Sequence, residues 1–313
     1  MNGLQVQSPV VFFIFNRPET TKLVFSQIEK ARPKKLLLIS DGARASRINE
    51  IELVNEARKI AQNVTWDCEV LANFSKENLG CKRRISSGLD WAFEQVSEAI
   101  ILEDDCLPSD SFFQFCDEML DRYRGDKSIG MIGGINFQAP QVRKAADYYF
   151  SKYTHIWGWA TWADRWVGTY DVDMMRWPKV KVDQALKNTL SSARELKYWE
   201  AIFDRVHDNQ IDTWDYQWVF ANWMSSRLNI LPSTNLISNI GFGSDATHTK
   251  GYSELANLPA EDLVFPLRHP DEIKVNVAAD QYTDRLCFRR PLYKRLLGKL
   301  GQFVDITKLG LMK

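Results

Sequence analysis

The sequence predicts an α/β fold built on a mostly parallel, Rossmann-like sheet and continued by a tryptophan-rich second half. Two observations carry this. Short apolar runs alternate with segments of helical period through the first half of the chain, which implies a sheet covered on both faces. The runs are β-branched and aromatic without polar alternation, as strands buried on both sides require. With 313 residues and 45% hydrophobic content, the chain can bury one large core or two small ones.

The elements follow in order. Val10–Phe15 is a continuous apolar run and reads as the first strand. Pro18 suits a helix start, and Leu23, Val24 and Ile28 repeat at helical spacing. Residues 36–40 form a second buried strand that stops at the turn Asp41-Gly42. Over residues 47–62, Ile48, Ile51, Val54, Ala57 and Ile60 make one helical stripe. Trp66, Cys68 and Val70 alternate as a strand does. Residues 82–97 are helical, and residues 99–102 a fourth strand. A helix from about Ser111 carries Phe112, Phe115 or Cys116, Met119 and Tyr123 on one side. Residues 129–132 make a fifth strand. Beyond these, residues 183–210 and 212–226 read as helices and 229–240 as strands.

In such sheets ligands bind at the carboxyl ends of the strands. Three ends stand out. Glu103-Asp104-Asp105 sets three carboxylates directly after an apolar run. They repel one another unless a cation neutralises them, and Mg2+ or Mn2+ commonly binds through one or two carboxylates plus substrate phosphates. The competing reading is a solvated acidic turn with Ser109 or Asp110 capping the next helix. Phe15-Asn16-Arg17 closes the first strand, where Arg17 can hold a phosphate by a charge-assisted fork or stand as a surface arginine before Pro18. Asp41 can accept from a base N–H or a ribose hydroxyl, or serve only its turn. Lys82, Arg83 and Arg84 follow Asn78-Leu79-Gly80-Cys81 at a helix start. There cations oppose the macrodipole, and a bound anion relieves the conflict.

Composition narrows the classes. Lys plus Arg and Asp plus Glu are both 40, so no global field draws the chain to nucleic acid. No apolar run is long enough to span a bilayer, and the start lacks signal-peptide order. Five scattered cysteines read as reduced thiols of a cytoplasmic protein. Eight of the eleven tryptophans fall between 157 and 218, which suits either a wall for stacking sugar rings or a tryptophan-rich core.

Taken together, the strand ending in Asn16-Arg17, the strand ending in Asp41-Gly42 and Glu103-Asp104-Asp105 after a strand resemble the nucleotide-sugar half of GT-A glycosyltransferases. Within that fold, the pattern is similar to inverting, Mn2+-dependent N-acetylglucosaminyltransferase I-like enzymes. The likeness continues through Phe112-Phe113, Trp157-Gly158-Trp159, Trp214-Asp215-Tyr216-Gln217-Trp218, Leu231-Pro232-Ser233, Ile240-Gly241-Phe242-Gly243 and Thr247-His248, covering roughly residues 9–250.

The resemblance implies a transfer of sugar from a nucleotide diphosphate, UDP by likeness, to a glycan or lipid-linked glycan hydroxyl in surface polysaccharide assembly. It implies Asp105 and His248 at an Mn2+ or Mg2+ ion and Asp104 at the ribose or bridging to the metal. It sets Arg17 at the diphosphate and Asp41 at the base, with Phe15, Asn16, Lys82, Arg84, Trp157, Gly158 and Trp159 lining the donor site. Asp215 becomes the catalytic base; the competing reading is a helix cap shared with Asp212. Gly80-Cys81-Lys82-Arg83-Arg84 departs from the small-residue Arg-Asn pattern of commoner inverting families, which leaves open which of the three cations meets phosphate. Residues 1–135 form the donor half and 136–280 the acceptor half of one domain. The basic, leucine-bearing tail, 281–313, is a candidate for contact with an anionic membrane face. A retaining transferase, a nucleotidyltransferase and a non-catalytic carbohydrate-binding protein are the alternatives; Asn16-Arg17-Pro18, where a Gly-rich loop is needed, counts against the second.

Overall fold

The computed structural model of the protein describes residues 5–138, 146–190, 192–241 and 257–288. The first half runs β1 (Val10–Ile14), α1 (Pro18–Ala31), β2 (Lys35–Ser40), α2 (Glu50–Gln62), β3 (Glu69–Phe74), α3 (Gly80–Gln95) and β4 (Glu98–Glu103). It continues with β5 (Cys106–Pro108), α4 (Phe112–Tyr123) and β6 (Ile129–Gly133). The second half holds β7 (Tyr148–Ser151), β8 (Trp159–Trp162), α5 (Ala163–Trp166), α6 (Trp177–Val182) and α7 (Ala193–His207). After these come α8 (Asp215–Met224), β9 (Leu228–Pro232), β10 (Ile237–Asn239) and α9 (Val277–Thr283).

Among the described residues, eight strands form one sheet in the order β3-β2-β1-β4-β8-β6-β9-β7, while β5 and β10 pair separately. Strands β3, β2, β1 and β4 are parallel, with Val11 flanked by Leu37 and Ile101. Strand β8 runs antiparallel between β4 and β6, and β7 antiparallel beside β9. The sheet is therefore mixed but mostly parallel: the expected parallel order holds for the first four strands and again for β6 beside β9, and only β8 and β7 run against it. Parallel neighbours need a long crossover, usually a helix, and the regular strand–helix alternation of the sequence stops after β6.

Successive residues of the central strands face opposite layers. Val10, Phe12 and Ile14 join Leu36, Leu38, Ile100 and Leu102 under α1 and α4. Val11 and Phe13 join Leu37, Ile39, Ala99 and Ile101 against α3 and Trp159, Trp166, Trp214 and Trp218. A third cluster, with Trp177, Trp199, Phe203, Phe220 and Trp223, fills the space among α6, α7 and α8.

Two sequence expectations shift here. The third strand begins at Glu69, not Trp66; Trp66 instead packs 5.9 Å from the Phe25 ring and donates its indole N–H to Pro33 O. On α2 the stripe of Ile48 and Ile51 is exposed, and Glu50, Val54, Ala57 and Ala61 face inward. Glu50 wins the buried place because its carboxylate has an arginine and an amide to meet there.

Candidate active site

A cavity of about 570 Å³ opens where β1, β2 and β4 end, roofed by the segments before β8 and α8. That volume suits a small-molecule ligand. Phe15, Asn16, Arg17, Asp41, Arg84, Asp104, Asp105, Trp157 and Asp215 all line it, from positions up to 200 residues apart. Six acids (Asp41, Glu103, Asp104, Asp105, Asp212 and Asp215) face three arginines (Arg17, Arg44 and Arg84) there.

The acidic end sits at the tip of β4. Asp104 Oδ2 accepts from the Phe15 backbone N–H at 2.9 Å, which ties the ends of β1 and β4 together. Arg17 Nη1 lies 2.6 Å from Asp105 Oδ2 and 3.7 Å from Asp104 Oδ1. One guanidinium against three carboxylates leaves the group under-neutralised. Burial, then Asp105, push the Asp104 carboxyl up to about 7, with Arg17 and the Phe15 N–H acting the other way. Burial, then Asp105 and Asp104, hold Glu103 well above the usual carboxylate range. Gly241 packs directly over the group: a Cβ there would stand 2.1 Å from Asp105 Oδ2.

These residues suit a hard divalent cation bound through few protein ligands. Among the described residues no cluster of three or more His, Cys, Asp or Glu is arranged as a complete ligand set. An ion shared with substrate phosphates needs only one or two carboxylates, and Asp105, beside excess negative charge, can supply one. His248, the other metal ligand expected from sequence, lies outside the described residues, as do Phe242, Gly243 and Thr247.

Asp41 is buried and heavily engaged. Its carboxylate accepts from the N–H groups of Gly42 (2.9 Å), Leu79 (2.9 Å) and Gly80 (3.0 Å) and from Asn78 Nδ2 (3.0 Å). It thus staples the end of β2 to the start of α3, satisfying N–H groups that a helix start leaves unpaired. Burial still leads, raising its pKa against those hydrogen bonds.

Of the three cations at α3, only Arg84 reaches the cavity. Its Nε donates to Ser40 O (3.2 Å) and its Nη2 to Asn73 Oδ1 (2.9 Å), so it also ties β2 and β3 to the helix. Lys82 points elsewhere: its Nζ donates to Asn209 Oδ1 at 2.8 Å, near Asp173. Arg83 pairs with Asp173 on the surface. The donor-site role expected of Lys82 is not supported, because helical spacing sets it about 160° around α3 from Arg84, toward the α7–α8 turn.

The tryptophan wall is also corrected. Trp159 is 1% exposed and stacks on Trp214 with ring centroids 5.7 Å apart. Trp162, Trp166, Trp177, Trp199 and Trp218 are likewise core residues. Only Trp157 and Trp214 of the cluster border the cavity. Trp157 is braced edge-on by Phe137 at 5.6 Å. Gly158 has φ +60, and a Cβ there would meet Ile237 Cδ1 at 2.4 Å. Its role is the tight turn that delivers Trp157 to the cavity and Trp159 to the core.

Asp215 opens α8 across from the acidic end. Its Oδ1 accepts from the Tyr216 N–H at 3.0 Å and from the Thr213 hydroxyl. Asp212 stands nearby at the rim, exposed. Cavity residues to which sequence reasoning assigned no ligand role include Arg44, Asn78, Asp212 and Thr213. Arg44 and Asn78 lie in loops with no periodic signal; Asp212 and Thr213 flank a motif already noticed.

No protein-family model matches the chain, and no curated protein matches it. Among solved structures, the chain is similar to the crystal structure of UDP-glucose pyrophosphorylase complexed with UDP-glucose, over 72% of this chain and 90% of that one. The TM-score is 0.37 and the identity 8%, a distant likeness of α/β layout. The functional reading rests on the cavity itself.

Proposed function

We propose that the protein is a metal-dependent glycosyltransferase that moves a sugar from a nucleotide diphosphate, UDP by resemblance, to an acceptor hydroxyl with inversion at the anomeric carbon. The carrying observation is the convergence of Arg17, Asp104, Asp105 and Asp215 on one cavity at the strand ends. The charge balance supports it. A cavity with more acids than arginines takes an anionic diphosphate only when further positive charge comes with it. A divalent ion held by Asp105 would supply that charge and stabilise the departing diphosphate as a Lewis acid.

The chain's own residues divide the remaining work. Asp215 takes the proton of the acceptor hydroxyl as its oxygen bonds to the anomeric carbon. The Thr213 hydroxyl and the Tyr216 N–H hold that carboxylate in place. Arg17 steadies the diphosphate side, and Trp157 offers an apolar face to a sugar ring. The bond to the diphosphate breaks on the side opposite attack, and the proton stays on Asp215. A glycan or lipid-linked acceptor, a role in surface polysaccharide assembly and membrane contact through the tail belong to the same proposal. The tail beyond residue 288 is outside the described residues, and no described helix is long and apolar enough to cross a membrane.

One observation favours a second reading. Arg17 pairs with Asp105 at 2.6 Å, so Asp105 can serve to orient an arginine that carries the diphosphate without a metal. Calorimetry with UDP, GDP, CDP and dTDP, each with Mn2+ and with EDTA, separates the two. Binding that needs metal and disappears in Asp105→Ala supports the ion. Equal binding in EDTA supports the arginine. No binding of any nucleotide by folded protein overturns both. The burial of most tryptophans weighs against a non-catalytic carbohydrate-binding protein.

A further inference from the structure

Glu50 is the first residue of α2 and only 4% exposed. Its carboxylate accepts from the Arg44 backbone N–H (2.7 Å), from Arg44 Nε (3.0 Å) and from Asn16 Nδ2 (2.9 Å). A carboxylate only accepts, so it fixes how the Asn16 amide is turned. The NH2 group faces Glu50, and because Asn16 lines the cavity, Oδ1 is the amide atom left to meet a ligand there. Asn78 is turned the same way: its Nδ2 donates to Asp41 Oδ2 (3.0 Å) and Gly42 O (2.8 Å), leaving its own Oδ1 free. Asp41 is already engaged by its own donors, so the acceptors left to a ligand at this end of the cavity are the two asparagine carbonyls.

The same clasp builds a flat surface. Arg44, held by Glu50, sits with its guanidinium carbon 5.4 Å from the centroid of the Phe15 ring, and both border the cavity. A planar heterocycle can stack there. An acceptor beside a stacking surface discriminates sharply, because a ligand lacking the donor leaves a desolvated oxygen unpaired.

We propose that Glu50, by orienting Asn16 and Arg44, sets the donor–acceptor polarity of this end of the cavity, so that it selects a nucleobase with a ring N–H between two carbonyls over one whose ring nitrogen is bare. This rests on the nucleotide-binding reading above. Uracil has that N–H, and cytosine has a lone pair in its place. Asn16 Oδ1 accepts from the uracil N–H, while against cytosine two lone pairs oppose each other. Glu50 is a positioning residue, acting through Asn16 and Arg44.

The test compares UDP, CDP and N3-methyl-UDP by calorimetry with Mn2+ on wild type, Glu50→Gln and Asn16→Ala, with melting curves to establish folding. Wild type should favour UDP over the other two by about tenfold or more. Asn16→Ala should bring the three affinities together, and Glu50→Gln should narrow the gap by lowering UDP alone. If Glu50→Gln does not fold, Asn16→Ala still decides whether the acceptor reads the base. Equal wild-type affinities would overturn the proposal while leaving nucleotide binding intact. So would an unchanged preference in Asn16→Ala or in folded Glu50→Gln. Absence of all nucleotide binding would remove the underlying reading as well.

Discussion

Arg17 Nη1 and Asp105 Oδ2 meet at 2.6 Å, joining the end of β1 to the end of β4 across 88 positions of sequence. The contact restrains two strand ends, yet it leaves two further carboxylates competing for the same guanidinium. A site so crowded with like charge costs the fold stability, as functional sites commonly do.

Asp105→Asn should therefore separate stability from binding. Removing one negative charge relieves Glu103 and Asp104, and Arg17 can turn fully to Asp104, 3.7 Å away. The expected outcome is a melting temperature equal to or above wild type, with Mn2+-supported nucleotide affinity down by about tenfold or more. Thermal melts and calorimetry on the same preparations check it. A sharp drop in melting temperature would show instead that the ion pair is chiefly structural.

Stability should depend on pH in a definite direction. Asp104 has an ordinary value of 3.8 and is pushed up to about 7 in the fold. A raised acid stabilises the fold below its unfolded value and loses that contribution as pH rises through its folded one. From pH 4 to 7 this group makes the metal-free protein progressively less stable. Mn2+ bound at these carboxylates would compete with the same proton, so the melting shift it causes should grow across that window. Asp104→Asn should flatten both trends; a Mn2+ shift independent of pH would count against metal binding at these carboxylates.

Asp215→Asn should leave nucleotide affinity within about twofold of wild type, because in the proposed reaction Asp215 meets the acceptor hydroxyl and not the nucleotide. Transfer should slow by about 100-fold or more, the usual worth of a positioned base. Thr213→Val should show a smaller fall in kcat with an altered pH profile. Loss of nucleotide binding in Asp215→Asn would reassign the residue to the donor.

Trp157 and Trp159 should part company. Trp159→Ala opens a hole in the layer shared with Trp166, Trp214 and Trp218 and should cost about 3–5 kcal/mol in denaturant unfolding. Trp157→Ala, half-buried at the cavity edge, should cost much less and raise the KM for donor or acceptor. Similar destabilisation by both would place Trp157 in the core with its neighbours.

Much of this was legible from sequence for local reasons. Val10–Ile14, Lys35–Ser40 and Glu98–Glu103 are strands because uninterrupted apolar runs have no other way to bury both faces. Their ends carry Arg17, Asp41 and Asp105 because strand ends are where a parallel sheet meets solvent. The α4 stripe of Phe112, Phe115, Met119 and Tyr123 is buried as its spacing requires. The tryptophans were ambiguous, since an aromatic ring serves a core or a sugar equally well and only packing tells them apart.

By itself the sequence determined the order of the first elements and the location of the acidic group at a strand end. Both follow from periodicity and charge along a few neighbouring residues, whereas the candidacy of Asp215 came from the resemblance of the segment that holds it. Only the tertiary structure decided that β8 and β7 run antiparallel, that Lys82 turns away while Arg84 stays, and that Glu50 goes inward to clasp Arg44 and Asn16. Those outcomes depend on which residues meet across tens of positions, and a buried charge goes where its partners are, whatever its place in the local pattern.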